Sequence, residues 1–246
     1  MGCLTDGCFY NAFLHGDLVE EVYMQMPQGF SYMHAEVQPV CKLLKSLYGL
    51  KQASRQWNVK LTQALLVAGF QQSHLDYSLL IKKSSEGIVI VLIYVDDLLV
   101  TGSNITLIND TKQVLKDNFK IKDLRSLRYF LGIEFARNRE GIIMHQRKYA
   151  LEIISDLGLG GSKPIATPVE LNGKLTTVVF DKHVGVTSDP ILSYIGEYQR
   201  LVGRLIYLTI TRPDLSYAIQ NLSQFMNAPK QSHMNAAIRV VRHIKQ

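Results

Sequence analysis

The spacing of apolar residues predicts helices and strands in the first half of the chain. A helical spacing begins after Ser54, which suits an N-cap, and ends at Gly69. It is formed by Trp57, Leu61, Leu65 and Ala68. Another helix is predicted over residues 105–117, with Ile108, Leu115 and Phe119 on one side.

Strand patterns surround a pair of acidic residues. Residues 77–83 and 88–94 read as two strands, joined by a turn at 84–87. Asp96 and Asp97 interrupt the apolar pattern, which resumes over residues 98–101. The acidic pair is therefore predicted at the tip of a β-hairpin.

From Gln146 onward the pattern becomes mainly helical. A further hairpin is predicted just before it, over residues 128–137 and 141–145, and residues 158–190 read as a long connection. The predicted helices beyond that connection cover residues 193–210, 214–227 and 233–245. We therefore expect an α+β domain over residues 1–145 and a helical region over residues 146–246.

Composition limits the class of protein. The chain has 246 residues, of which 47% are hydrophobic, so it can bury a core. No apolar run approaches the roughly 20 residues that a membrane helix needs, and no secretory signal is present. The three cysteines are too few and too scattered for a disulfide framework. We expect an intracellular protein, cytoplasmic or nuclear, without a membrane partner.

The positive charge is concentrated in two stretches. The net charge is +6, and basic residues without acidic neighbours lie at 42–60 and again at 230–245. Such stretches favour a polyanion partner, because phosphate backbones bind through charge neutralisation. Solvated basic helix faces are the alternative explanation.

The acidic pair allows two interpretations. Two adjacent carboxylates repel each other, and a divalent cation such as Mg²⁺ turns that repulsion into binding. Such a site would suit phosphoryl transfer. Aspartate also favours turns, however, and an Asp-Asp turn needs no metal.

Five segments of the chain form an ordered set of motifs. The first two are Asn11–Leu18, followed by Glu20–Met24, and Lys45–Ala53, followed by Arg55–Trp57. The others are Tyr94–Asp97, which has the pattern Tyr-x-Asp-Asp, then Tyr129–Glu134 and Thr211–Ala218. In this order the five segments resemble the reverse transcriptase of copia-type LTR retrotransposons. One such segment alone is weak evidence, whereas five in the right order are specific.

The resemblance implies a fold and a chemistry. The fold would be a polymerase palm, an antiparallel sheet backed by helices, followed by a helical thumb or connection. The activity would be RNA-directed DNA synthesis on an RNA or DNA primer-template, with dNTPs and Mg²⁺ or Mn²⁺. The resemblance makes Asp96 and Asp97 the catalytic, metal-binding pair and places Tyr94 beside the primer terminus. It implies that template and incoming nucleotide face Gly49, Lys51, Gln52 and Arg55.

Several of these positions have simpler explanations. Gly49 suits a turn, Lys51 and Arg55 suit solvated charges at a helix start, and Gln52 suits a polar surface. The aromatic residues Tyr23, Phe30, Trp57 and Tyr129 are expected to pack in the core rather than to stack on bases. His15 is expected to support a loop.

One position departs from the family pattern. The first segment of the family carries an aspartate four residues before Ala12, where this chain has Cys8. A thiol is mostly protonated at neutral pH and suits soft metals rather than Mg²⁺. Asp6 would share the strand face of Cys8, but about 6.6 Å away along the strand, too far to replace the missing carboxylate.

The ends of the chain add to this expectation. Few residues precede the first segment, so the fingers of the family are expected to be largely missing, and no RNase H segment follows. We therefore expect a reverse transcriptase fragment with little or no polymerase activity. Two alternatives remain open: a non-catalytic nucleic-acid-binding remnant, and a metal-dependent nuclease unrelated to polymerases.

Overall fold

The protein consists of two compact units. A computed structural model describes residues 3–30, 39–170, 173–185 and 188–245, with the backbone alone at 3–6, 8 and 123–125. The units are Met1–Phe130 and Leu131–Gln246. This division falls before the expected boundary at 145/146, because the second predicted hairpin belongs with the helices. Glu134 on that hairpin accepts a hydrogen bond from the backbone N–H of Lys148 at 2.9 Å.

The first unit is built on a six-stranded antiparallel sheet. Its strand order is β4-β5-β6-β7-β1-β8, so the first strand of the chain lies inside the sheet. The strands are β1 (Cys3–Phe9), β4 (Gln71–Gln72), β5 (Leu79–Ser84), β6 (Gly87–Tyr94), β7 (Asp97–Gly102) and β8 (Ile121–Ser126). The other strands of this unit are β2 (Tyr23–Gln25) and β3 (Val40–Lys42), which pair with each other, and β9 (Tyr129–Phe130).

Two helices contribute to the core of this unit. They are α1 (Ala53–Val67) and α2 (Ile105–Asn118), and a 3-10 helix covers Ala12–His15. Alternate residues of β6 are buried, as expected for a strand with one face on the core. The buried cluster contains Phe9, Trp57, Leu61, Leu65, Leu80, Val89, Val91, Ile93, Leu98, Val100, Ile108, Leu115 and Phe119, among others.

In the second unit, the described residues form a hairpin, five α-helices and a 3-10 helix at Pro213–Leu215. The hairpin pairs β10 (Ile133–Arg137) with β11 (Ile142–His145). The helices are α3 (Arg147–Asp156), α4 (Val178–Val184), α5 (Ile195–Leu208), α6 (Ser216–Ser223) and α7 (Gln231–His243). Their apolar faces form a separate buried cluster, with Tyr198, Leu205, Leu215 and Val241 among its fully covered members. The observed antiparallel sheets and helices confirm the α+β class.

A buried polar cluster anchors the long connection to the start of α7. The ammonium of Lys230, with a 3% exposed side chain, pairs with Asp181 and lies 3.1 Å from a carboxylate oxygen of Asp189. His233 accepts a hydrogen bond from the backbone N–H of Lys230 at Nδ1, and its Nε2 lies 3.1 Å from the carbonyl oxygen of Thr176. The connection is therefore fixed by specific polar contacts.

Several local predictions need correction. α1 begins at Ala53 after Gln52, so Ser54 lies in its first turn and is not its N-cap. The pattern did not reveal β8 or α4. Of the four aromatic residues expected in the core, Trp57 is buried, whereas Tyr23, Phe30 and Tyr129 are 53%, 71% and 49% exposed. Tyr23 lies on a two-stranded sheet, where its hydroxyl donates to Glu21 at 3.0 Å.

The helices of the described residues bear on a possible membrane span. Among the residues that the structure describes, none of the helices is both long enough and apolar enough to cross a bilayer.

Candidate functional site

The acidic pair lies at a tight turn between β6 and β7. Tyr94 pairs with Asp97 at the end of the ladder, so Val95 and Asp96 form a two-residue loop. Val95 has a φ of 55°, in the left-handed region where a β-branched residue is strained. Hairpin turns of this length need positive φ at the first central residue, which is usually glycine or asparagine. The hairpin-tip prediction for Asp96 and Asp97 is therefore correct.

Two hydrogen bonds from neighbouring elements hold the loop backbone. The indole N–H of Trp57 donates to the carbonyl oxygen of Val95 at 2.7 Å. The backbone N–H of Phe9 donates to the carbonyl oxygen of Asp96 at 2.9 Å. Consecutive loop carbonyls thus accept from α1 and β1, while Tyr94, 55% exposed, and the partly exposed Asp96 and Asp97 reach solvent.

An aromatic cluster supports these two donors. The rings of Phe9 and Trp57 pack edge to face at 4.7 Å between centroids, and Phe119 contacts both. His15 lies beside Trp57 and Phe119 at 5.7 and 5.9 Å, consistent with support of a loop. Trp57 is 1% exposed, so its indole is held rigidly by packing.

The β1–β7 register fixes where Cys8 and Asp6 stand. Cys8 is the direct partner of Asp97, and Asp6 is the partner of Leu99. The pairing runs without interruption from Cys3 to Cys8, whereas the irregularity between Asp6 and Gly7 affects only the pairing with β8. Asp6 is therefore not shifted into register with the acidic turn.

The residues at the turn fit a hard divalent cation only in part. Mg²⁺ prefers oxygen ligands, and the turn supplies the two carboxylates of Asp96 and Asp97. The directly opposed strand position carries a cysteine, whose sulfur is a poor ligand for Mg²⁺. Within the described part of the chain, no group of three or more His, Cys, Asp or Glu side chains is arranged to hold a metal ion.

The other predicted site residues cluster at the start of α1. Gly49 has a φ of 96° with open space around its Cα, which confirms a turn that favours glycine. Gln52 is the helix N-cap without a capping side-chain hydrogen bond. Lys51 and Arg55 are exposed, and neither forms an ion pair or side-chain hydrogen bond with any described residue.

Other cations of the first basic stretch are paired. Asp17 accepts hydrogen bonds from Lys45 at 2.6 Å and from Lys60 at 2.7 Å. These two contacts lower the pKa of Asp17 to about 2. Lys42 pairs with Glu21. Lys51 and Arg55 are thus the cations of this stretch most available to a partner.

The second basic stretch is used within its own unit. Lys230 is buried with two carboxylates, as described above. Arg239 donates to the Thr167 carbonyl oxygen at 3.2 Å, and Arg242 donates to the Lys163 carbonyl oxygen at 3.0 Å. Lys245 donates to the carbonyl oxygens of Leu159 and Gly160, both at 2.9 Å. These contacts fasten the segment after α3 to α7, which the charge pattern alone did not predict.

Comparison with known proteins assigns the chain. Residues 9–171, more than half of the chain, match the family described as "Reverse transcriptase (RNA-dependent DNA polymerase)". The chain belongs to this family. The predicted resemblance to a reverse transcriptase is therefore confirmed. The match begins immediately after Cys8 and includes the acidic turn and the start of α1.

The reverse transcriptase relatives are retrotransposon polyproteins and a shorter transposon protein. The chain is 43% identical over 235 residues to the retrovirus-related Pol polyprotein from transposon RE2 of Arabidopsis thaliana, covering 95% of this chain and 15% of that protein. It is 34% identical over 242 residues to the corresponding polyprotein from transposon TNT 1-94 of Nicotiana tabacum, covering 95% and 18%. The putative transposon Ty5-1 protein of Saccharomyces cerevisiae is 32% identical over 235 residues, covering 95% and 73%.

The chain thus spans about 15% of the length of the first two polyproteins that it matches. No solved structure matches this reverse transcriptase chain significantly.

The structure also identifies a site residue that sequence reasoning missed. The sequence predicts only a core position for Trp57. In the structure, its indole N–H also donates a hydrogen bond to the carbonyl oxygen of Val95, the strained residue of the acidic turn. The sequence gives one indication of this role, because Trp57 is the only tryptophan in the chain and lies within a segment that resembles the family. Phe9 acts through its backbone, and the side-chain pattern contains no signal for that contact.

Proposed function

We propose that this chain is a reverse transcriptase palm with a helical thumb or connection, which binds nucleic acid but does not polymerise. In this proposal the first unit is the palm and the second unit is the thumb or connection. The observation that carries it is the direct pairing of Cys8 with Asp97. Directly paired residues on neighbouring strands share a face, with Cβ atoms about 4.5–5.5 Å apart. A carboxylate at position 8 would thus complete a three-carboxylate set.

A cation bound at such a set would offset the charge of the reacting phosphate oxygens. In this chain Asp96 and Asp97 can supply two of the oxygen ligands. A cysteine at position 8 offers sulfur in place of a hard carboxylate oxygen, and sulfur suits soft metals rather than Mg²⁺. It therefore lacks the hard oxygen that the set requires.

A primer-extension assay tests this proposal. The purified chain is incubated with a DNA primer on an RNA template, dNTPs and either Mg²⁺ or Mn²⁺. We expect no more product from the wild type than from Asp96→Asn. We expect Cys8→Asp to gain measurable extension, because it restores a carboxylate opposite Asp97.

Cys3→Asp is the matched control. It makes the same substitution in the same strand, but opposite Gly102, at the other end of the ladder. It should remain at background. Robust extension by the wild type that disappears in Asp96→Asn would overturn the proposed inactivity.

Nucleic-acid binding rests on a different observation, the two available cations at the start of α1. Lys51 and Arg55 are exposed without intramolecular partners among the described residues, whereas Lys45 and Lys60 are engaged by Asp17. A cation that contacts a phosphate releases counterions, so affinity falls as salt rises. Primer-template and dNTPs are the partners that this family membership suggests.

Salt-dependent binding to a labelled primer-template duplex tests this second function. We expect Lys51→Ala with Arg55→Ala to reduce the slope of log affinity against log salt by about 2, one unit for each lost phosphate contact. Lys83→Ala with Arg139→Ala removes the same charges from exposed sites elsewhere and should leave the slope nearly unchanged. Equal effects of the two double variants would show that only net charge matters.

A further inference from the structure

The acidic turn is strained, and the strain is concentrated in one residue. Val95 has a positive φ without being glycine, and a branched Cβ makes that conformation costly. Such a conformation persists only where surrounding contacts impose it. Two of these contacts have been described: the indole N–H of Trp57 on the Val95 carbonyl and the N–H of Phe9 on the Asp96 carbonyl.

These two contacts differ in kind. The Phe9 contact is backbone to backbone, so any residue except proline at position 9 could supply it. The Trp57 contact comes from a side chain, and an indole N–H is a donor that phenylalanine lacks. Its 2.7 Å length indicates a strong hydrogen bond, and its donor side is fully buried because Trp57 is 1% exposed.

Trp57 also belongs to the helix that carries the available cations. It lies in α1, two residues after Arg55, and α1 follows the turn that contains Lys51. Its hydrogen bond therefore places the first part of α1 beside the acidic turn. The same residue connects the two parts of the proposed site.

We infer that Trp57 is a positioning residue, whose indole N–H holds Val95 in its left-handed conformation and thereby fixes the orientation of Asp96 and Asp97. Without this donor, only the β6–β7 ladder and the Phe9 hydrogen bond hold Val95 at positive φ, and Val95 relaxes to a negative φ more often. That relaxation reorients the carbonyl of Val95 and the peptide that carries Asp96. The inference rests on the proposed function for the role of the turn in binding a metal ion. The way in which Trp57 holds the turn does not depend on that function.

Hydrogen exchange measured by NMR tests the inference without substrate or metal. In the wild type, the Trp57 indole N–H should exchange much more slowly than a free indole. It gives a single resonance, because the chain has one tryptophan. An exchange rate close to that of free indole would overturn the inference, and no variant is needed to see it.

Trp57→Phe is the first variant, since it keeps an aromatic ring against Phe9 and Phe119 but removes the donor. We expect the backbone N–H of Phe9, which reports the Asp96 carbonyl, to exchange about tenfold faster, as loss of one buried hydrogen bond predicts. The amide resonances of Asp96 and Asp97 should shift or broaden, while those of β5 remain in place.

Val95→Gly supplies the rescue. Glycine adopts positive φ without strain, so the turn should no longer depend on the indole. The effect of Trp57→Phe on Phe9 exchange should then fall to less than about threefold in the Val95→Gly background. A full tenfold effect in both backgrounds would assign Trp57 a packing role alone and overturn the inference.

Leu61→Ala separates positioning from general stability. Leu61 is fully buried one turn further along α1 and contacts the same core. Its loss should raise exchange across the first unit, and Val95→Gly should not reverse that effect. The primer-extension and binding assays are independent of the exchange measurements. If those assays reject the proposed function, the exchange measurements still test the role of Trp57.

Discussion

Asp17 illustrates how exposed charges behave at the scale of single residues. It accepts from both Lys45 and Lys60, which lowers its pKa to about 2. A lowered carboxyl pKa stabilises the fold above the ordinary pKa of about 3.9, and that contribution is lost as the pH falls toward 2. Asp17 and Lys45 are more than half exposed and Lys60 is partly exposed, so water and salt screen the interaction.

We therefore expect Asp17→Asn to lower the free energy of unfolding by less than about 1 kcal/mol at neutral pH. The difference should shrink in high salt. Urea unfolding followed by the fluorescence of Trp57, which lies in the same unit, measures it. A loss above about 2 kcal/mol that persists in high salt would show that these ion pairs act as a structural clamp.

For single residues, the sequence predicted which side chains lie at functional turns better than it predicted which side chains are buried. The acidic turn and the glycine turn at Gly49 follow from residue type, because aspartate and glycine have strong backbone preferences. The exposure of Tyr23, Phe30 and Tyr129 did not follow, since an aromatic side chain packs wherever the tertiary fold provides a surface. The bond from Trp57 to Val95 joins residues 38 positions apart, a distance that no local pattern encodes.

The start of α7 shows how one element depends on the charge state of its neighbours. His233 is fully buried and stacks on Phe225. Burial, and then the nearby cation of Lys230, lowers the pKa of His233 below its ordinary value, although Asp181 and Asp189 oppose this effect. The neutral ring is required because Nδ1 accepts from the Lys230 N–H while Nε2 donates to Thr176.

We expect the second unit to lose stability as the pH falls below about 6.5, the ordinary histidine pKa, because the unfolded chain then binds a proton that the folded unit excludes. The free energy of unfolding should fall by at most about 1.4 kcal/mol per pH unit through this window. Amide hydrogen exchange of α5 and α7 between pH 8 and 5.5 measures it.

His233→Gln should flatten this dependence, while His183→Gln, at an exposed position of α4, should leave it unchanged. An unchanged slope in His233→Gln would assign the pH dependence to another group.

At the level of elements, periodicity predicted the long helices well. α2, α5 and α7 lie close to their predicted ranges, because each has a continuous apolar stripe facing a core. β8 and α4 were missed because β8 mixes charged and apolar residues without regular alternation, and α4 is a short helix inside a loop-like composition. Short elements are set by tertiary partners more than by their own sequence.

For the whole molecule, net charge was a weaker guide than the contacts of each cation. Both basic stretches satisfy the composition argument for a polyanion partner. In the second stretch, however, Arg239, Arg242 and Lys245 donate hydrogen bonds to backbone carbonyls. Lys230 forms an ion pair with Asp181. These side chains therefore stabilise their own unit. Ordered motifs along the chain were decisive instead, since they indicate the reverse transcriptase family from the sequence alone.

The internal place of β1 has a consequence for how the first unit assembles. Residues 3–9 leave the ribosome well before residues 97–102 and 121–126, the segments with which they pair. Until then the strand has no partners on either side, and pairings this distant in sequence form slowly. A chaperone that shelters β1 during synthesis would therefore protect the step on which closure of the entire sheet depends.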